Sequence, residues 1–236
     1  MLRCRGAALR LAPVIPPHDI ALIFDMDNTV LGSHIDFAAI RRALGAILRE
    51  AGATDESDER LRPRSISELV ACGAAYDRGR GTALVPAMWA IISAHEAEGL
   101  RGAAALDDAP GVLAALRARG YRLAILTNNS RTAALRALES AGLAGAADTV
   151  VTRDDVPAMK PAADGAIESL RRLGPAARAY VIGDSWIDGS AAARAGARFI
   201  AYRRTADELR PHGLRPWRVI HHLSELLAIN FGDATS

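Results

Sequence analysis

Short unbroken apolar runs alternate along the chain with stretches whose apolar positions recur at helical spacing. Ile20-Ala-Leu-Ile-Phe24 is the first such run. It is too short for a helix, shows no polar position that would mark a wet face, and stops at Asp25-Met-Asp27, so it reads as a strand buried on both sides. Leu123–Leu126, Thr149–Thr152, Tyr180–Ile182 and Phe199–Tyr202 repeat the signature. Between them, Ala- and Leu-rich segments at about 109–119, 131–141, 161–173 and 188–196 carry the helical period. Gly120, Gly142, Gly174 and Gly196 stand near their ends, where a left-handed residue closes a helix without a Cβ clash. Strand–helix alternation of this kind predicts an α/β fold, a doubly wound parallel sheet with helices on both faces.

Residues 35–105 break the rhythm and contain no convincing strand. Ile40, Leu44, Ile47, Leu48 and Ala51 fall on one helical face, and further helices are expected near 65–78 and 86–99. Arg78-Gly-Arg-Gly81 reads as a loop between them. The expected organisation is therefore a core of residues 19–34 and 106–236, with a helical insertion over 35–105. Residues 1–18 carry Pro13, Pro16 and Pro17, and the stretch to Pro17 has Arg3, Arg5 and Arg10 but no acid. It lacks the continuous apolar stretch of a secretory signal, and a flexible N-terminus is expected there rather than a targeting segment.

Composition narrows the function classes. At 236 residues, half of them hydrophobic and about a quarter charged, the chain has the make-up of a globular protein with a sizeable core. A net charge of +2 gives no reason to expect a nucleic-acid partner, and no apolar run approaches the ~18 residues that would span a bilayer. Cys4 and Cys72 are the only cysteines, without CxxC spacing, which fits a reducing, cytoplasmic setting. Lys160 is the single lysine among 29 basic residues. Either chance left it so, or a compact point charge is needed where the planar fork of arginine does not fit.

Four short segments carry candidate chemistry. Asp25-Met-Asp-Asn-Thr29 follows the first strand and puts two carboxylates at the strand tip, where open α/β sheets bind ligands. Paired acids there suit a hard cation and a division of labour between attack and proton transfer; a solvated Asp-rich turn is the plainer alternative. Thr127-Asn-Asn-Ser130 offers a hydroxyl and free backbone N–H groups ahead of a helix, either to cradle phosphate or simply to cap that helix. Lys160-Pro161 places a cation at the start of the helix expected from 161, to neutralise an anion or merely to sit at the surface. Gly183-Asp-Ser-Trp-Ile-Asp188 sets Asp184 at a strand tip and Asp188 in the first turn of the next helix, where an acid also serves as an ordinary cap. All four fall at the same edge of one predicted sheet.

In order and context these segments resemble the signature of the haloacid dehalogenase superfamily, in its phosphatase branch, over about residues 20–203. The resemblance implies a Rossmann-like core with an inserted helical cap, and the layout is similar to that of phosphoglycolate phosphatases. It further implies a small phosphorylated metabolite as substrate, hydrolysed through an aspartyl-phosphate on Asp25, with Asp27 as general acid and then general base. Mg²⁺ would be held by the Asp25 carboxylate, the Asp27 backbone carbonyl and Asp184, with Asp188 orienting the site and pairing with Lys160. Thr127, Asn128 and Lys160 would hold the phosphoryl group. Asn28 stands where the family usually has glycine, though Asn tolerates a left-handed backbone, and Val30-Leu-Gly-Ser-His34 lacks the usual acid.

Dehalogenases of the family do not need the second aspartate, and its ion pumps carry a lysine there, so Asp27 disfavours both. A phosphomutase or phosphotransferase of the same fold, or a catalytically silent binding module, are the alternatives. Within the insertion, Arg62, Arg64, Arg78, Arg80 and His95 are candidates for a second anionic group of the substrate, against the plainer role of solvated surface charge. Trp89 and Trp186 are expected to be packing residues, and His221-His222 has no metal-ligand spacing.

Overall fold

The structure, a computed structural model, describes residues 15–106 and 108–232. In chain order the strands are β1 (Ile20–Asp25), β2 (Leu31–Gly32), β3 (Ala104–Ala105), β4 (Arg122–Leu126), β5 (Thr149–Val151), β6 (Arg178–Gly183), β7 (Arg198–Tyr202) and β8 (Arg218–Ile220). The helices are α1 (Phe37–Glu50), α2 (Asp58–Leu61), α3 (Ile66–Arg80), α4 (Leu84–Gly99), α5 (Ala109–Ala118), α6 (Arg131–Ser140), α7 (Asp164–Leu173), α8 (Trp186–Arg194) and α9 (Ala206–Leu209).

Six strands form one all-parallel sheet in the order β5-β4-β1-β6-β7-β8. β1 lies at its centre, and every residue of it is buried. Its side chains alternate between two apolar layers: Leu22 and Phe24 belong to the one that includes Val112, Leu113 and Leu116 of α5, and Ile23 to the one that includes Ala166 of α7 and Ala192 of α8. That two-sided burial is why the run has no polar alternation. Gly165 lets α7 ride close on the sheet, since a Cβ there would meet Leu126 Cδ1 at 2.5 Å.

α1, α3 and α4 pack on one another through Ile40, Leu44, Leu48, Leu69, Met88 and Ile92. Asp36 caps α1 by accepting from Ala39 N at 2.7 Å, and Ser65 with Glu68 forms a capping box on α3. The two chain segments that join these helices to the sheet run side by side. β2 pairs with β3 antiparallel, His34 N donates to Gly99 O at 2.9 Å, and a Cβ on Gly99 would lie 2.5 Å from the Ile35 backbone.

Several sequence expectations need correction. The interval 35–105 does contain a strand, β3, but two residues are too few to show alternation. Arg78-Gly-Arg80 is the last turn of α3 rather than a loop, and Gly81 is its left-handed cap at φ 65°. The helix expected from 161 begins at Asp164, so Lys160 does not sit at its N-terminal edge. Tertiary bonds hold the Lys160 backbone instead: Lys160 N donates to Asn128 Oδ1 (3.0 Å), and Lys160 O accepts from Asn128 Nδ2 (2.9 Å) and Ser67 Oγ (2.7 Å). β8 and α9 had no periodic signal. All four glycines have positive φ, 91°, 71°, 84° and 71° at Gly120, Gly142, Gly174 and Gly196, though Gly174, with ψ −178°, closes α7 in an extended rather than a left-handed helical conformation.

Most of the N-terminal segment expected to be flexible, with Cys4, lies outside the described residues. Of its remainder, Ile15 N donates to Gly232 O at 3.3 Å and Pro17–Asp19 forms a 3-10 turn before β1. Among the described residues no helix is long and apolar enough to cross a membrane.

Candidate active site

β1 is flanked by β4 on one side and β6 on the other, so strand order reverses at its tip and a crevice opens there. Asp25, the last residue of β1, is in register with Leu126 at the end of β4, and Asp184 directly follows the end of β6. The loop after β5 brings in Lys160. Four segments far apart in sequence therefore meet at one sheet edge.

Lys160 Nζ is the hub. It forms ion pairs with Asp25 Oδ1 and Asp188 Oδ1 (2.7 Å to the latter) and donates to Leu126 O at 3.2 Å. The lysine is only 3% exposed. Burial works against its charge, but the Asp188 and Asp25 carboxylates outweigh burial and raise its pKa. Asp25 Oδ2 accepts from the Thr29 hydroxyl at 3.1 Å, and Asp188 Oδ2 accepts from Ser185 N at 3.1 Å. Both acids are thus fixed at both oxygens. Gly183 is required by space: a Cβ there would lie 2.5 Å from Asp188 Cγ.

Asp27 is held differently. The chain turns sharply after it, with Asn28 in the left-handed region at φ 59°. Asp27 Oδ2 accepts from Asn129 Nδ2 (2.7 Å) and Thr127 Oγ1 (3.3 Å), while Oδ1 is buried with no hydrogen-bond partner. Burial first, then repulsion from Asp25, pushes its pKa up to about 7. Asp184 is pushed up to about 8 by burial and by the Asp25 and Asp188 carboxylates. Burial and Asp25 likewise raise Asp188 to about 7, against the opposing pull of Lys160.

Asp25, Asp184 and Asp188 each offer an oxygen, all within 4.8 Å of one another, the only such group of metal-ligating side chains among the described residues. Oxygen donors crowded beyond what one lysine can neutralise are a donor set for a hard divalent cation. The residues present fit such an ion.

A cavity of about 550 Å³ opens over this cluster. Asp25, Asp27, Asn128, Lys160, Asp184 and Asp188 all line it. Thr127 does not: it is 1% exposed, with its hydroxyl turned to Asp27, and the Asn128 amide is engaged with the Lys160 backbone. Of the insertion residues singled out from the sequence, Arg62 and Arg64 line the cavity, but Arg78, Arg80 and His95 do not; Arg80 lies instead over the Tyr76 ring. Trp89 and Trp186 are wall residues, the first beneath the Arg153 guanidinium and the second stacked on His212 at 4.7 Å. His221 and His222 lie elsewhere, donating their backbone N–H groups to Glu225 Oε1.

Sequence reasoning missed Thr29, Asn129, Arg41 and Glu96. The first two had a usable signal. In an extended segment Thr127 and Asn129 share one side, the side that faces Asp27, and Thr29 is reached by the turn that Asn28 begins. Glu96, on α4, had none, because it is defined by a partner far along the chain: it forms a buried ion pair with Arg153, just after β5.

Comparison with known proteins is consistent with this geometry. A family model described as "Hydrolase: haloacid dehalogenase-like hydrolase" matches residues 21–196. The phosphoglycolate phosphatase of Rhodobacter capsulatus is 31% identical over 205 residues, covering 83% of this chain and 91% of the relative. That of Rhodospirillum rubrum is 32% identical over 186 residues, covering 75% and 76%. A hydrolase from Pseudomonas syringae has a similar structure, with a TM-score of 0.61, 21% identity, and coverage of 88% of this chain and 96% of that one.

Proposed function

Since the chain belongs to the haloacid dehalogenase-like hydrolases and is a phosphatase acting on phosphoric monoesters, we propose that Asp25 is its nucleophile, Asp27 its acid and base, and 2-phosphoglycolate its first candidate substrate. The observation that carries this is the unlike treatment of two neighbouring carboxyls. Asp25 is buried, ion-paired with Lys160 and oriented by Thr29, whereas Asp27 is half-buried, lines the cavity and carries a raised pKa of about 7. The choice of substrate draws on the names of the relatives. The two-cysteine composition fits a cytoplasmic setting.

In the first step an Asp25 carboxylate oxygen attacks phosphorus as the ester P–O bond breaks. Asp27 gives its proton to the departing alkoxide; the unbonded Oδ1 is the natural place to carry it, since Oδ2 is occupied as an acceptor. In the second step the now ionised Asp27 takes a proton from water, whose oxygen attacks the aspartyl-phosphate, releasing inorganic phosphate and restoring both acids. Lys160 neutralises charge on Asp25 and on the phosphoryl oxygens throughout. Asn128 holds the lysine backbone, and Asp188 keeps Nζ in place. Mg²⁺ would be held by the Asp25 carboxylate, the Asp27 carbonyl and Asp184, and when bound it supplies charge neutralisation to the transferring group. Helices α1–α4 act as the cap that keeps bulk water from the intermediate.

The test is phosphate release from 2-phosphoglycolate by wild type and Asp25→Asn, with Mg²⁺ and after its removal by chelation. Expected is turnover that needs the metal and falls by about a thousandfold or more in the variant, the scale seen when a nucleophile is removed. Turnover that survives Asp25→Asn in folded protein would overturn the assignment.

A further inference from the structure

The base of the cavity is acidic and its insertion-side wall is basic. Arg41 of α1 and Arg62, just after α2, both line it, beside Arg64. Arg64 is already committed to Glu56 at 2.6 Å. Arg42, next to Arg41, faces Asp36. Neither the Arg41 nor the Arg62 guanidinium has a hydrogen bond or an ion pair among the described residues, although the Arg62 backbone N–H donates to Asp58 O at 2.8 Å. Burial lowers the pKa of Arg41; Asp36 offsets this, and the neighbouring Arg62 adds to it. The half-buried Arg41 and the exposed Arg62 thus bring two guanidinium groups to the same cavity wall, where a bound anion would relieve their mutual repulsion.

Charge also dictates which part of a substrate goes where. A phosphoryl group can approach the Asp25–Asp184–Asp188 cluster because Lys160 and a bound cation neutralise it there. A second anionic group would compete with the phosphoryl group for Lys160 at that carboxylate-lined end, whereas the insertion-side wall offers it cationic partners of its own. Guanidinium pairs are well shaped for a carboxylate, which they can hold through parallel N–H donors. Resting on the phosphatase reading above, we propose that Arg41 and Arg62 are the specificity subsite for a carboxylate carried on the alcohol half of the ester, so that the enzyme selects phosphorylated carboxylic acids over phosphorylated neutral alcohols.

The experiment compares 2-phosphoglycolate with 2-hydroxyethyl phosphate, the same ester bearing a neutral hydroxymethyl group in place of the carboxylate. Wild type, Arg41→Gln, Arg62→Gln and the charge-keeping Arg41→Lys are assayed with Mg²⁺, and the ratio of kcat/KM for the two esters is followed. Wild type is expected to prefer the acid, and each Gln variant to reduce that ratio by about tenfold or more, as for the loss of a charged hydrogen bond. The loss appears mainly in KM, because the contact is made equally in ground and transition state, and Arg41→Lys recovers part of it. Equal effects on both esters, or none, would overturn the subsite. Calorimetric titration with 3-phosphonopropionate and propylphosphonate, neither of which can be hydrolysed, separates this from the reaction itself. If wild type releases no phosphate from either ester, the phosphatase reading falls. The subsite then stands only if the carboxylate analogue binds more tightly than the alkyl one and loses that advantage in Arg41→Gln and Arg62→Gln; otherwise it falls too.

Discussion

Replacing Lys160 by arginine asks whether the chain's one lysine is there by chance. Nζ sits among Asp25, Asp188 and the Leu126 carbonyl in a pocket that leaves it 3% exposed. A guanidinium keeps the charge but is wider, and either Asp25 or Asp188 must move to admit it. Lys160→Arg is expected to reduce kcat by about a hundredfold or more through misplacement of Asp25, whereas Lys160→Met also leaves buried carboxylates unpaired and costs roughly 3–5 kcal/mol of stability. Steady-state kinetics with a denaturant melt distinguishes the two, and an arginine variant as active as wild type would make the lysine incidental. Asp25, Asp27 and Asp184 were legible from their places at strand tips, Asp188 from the first turn of a helix, and Lys160 from its being the chain's single lysine. What the sequence does not display is direction: that Thr127 turns to Asp27, that Asn128 grips a backbone, and that Arg41 rather than Arg78 or Arg80 reaches the cavity, all depend on how segments cross in space.

At the scale of elements, contacts between the helical insertion and the sheet govern access to the site. Glu96 of α4 pairs with Arg153, whose guanidinium also lies over Trp89, and Ser67 of α3 donates to Lys160 O. Both partners of the Glu96–Arg153 pair are nearly solvent-free. Burial raises the Glu96 pKa, and Arg153 works against that rise, so the ionised form depends on its partner. Glu96→Gln keeps the shape and removes the charge, leaving Arg153 uncompensated. Opening of α1, α3 and α4 away from the sheet is expected to become easier by about 1–3 kcal/mol. Hydrogen exchange should then quicken about tenfold in those helices while amides of β1, β4 and β6 keep their protection. Uniform quickening, or none, would mean the pair does not control opening. The helices themselves were legible because each has a cap or a periodic face, as with Asp36 and Ser65–Glu68. β2 and β3 were not, since two-residue strands exist only through their pairing.

For the molecule as a whole, the crowded acids make the native state unfavourable to itself until a cation arrives. Asp184 and Asp188 carry raised pKa values, which means their ionised forms are penalised in the fold, most of all by burial. A divalent ion bound only by the native state repays that penalty, so saturating Mg²⁺ is expected to raise Tm by about 3–8 °C, from about 2–3 kcal/mol of linkage. Asp184→Asn should melt higher than wild type without metal and lose most of the rise with it. Scanning calorimetry over a metal titration reads both, and a wild-type Tm indifferent to Mg²⁺ would count against metal binding. A parallel sheet with helices on both faces followed from strand–helix alternation, whereas its order, β5-β4-β1-β6-β7-β8, did not, since β8 carries no periodic signal and neighbouring strands are far apart in sequence. That one edge of this sheet would gather four chemistry-bearing segments was legible too; how the insertion closes over them was not, since its contacts join positions far apart in sequence. A chain with 29 cationic residues offers acylating reagents a single side-chain amine, and that amine is buried among Asp25, Asp188 and the Leu126 carbonyl on the cavity that the insertion walls. Covalent labelling of Lys160, followed by mass spectrometry, would therefore proceed at the pace at which the enzyme gapes, making this protein a built-in clock for its own breathing.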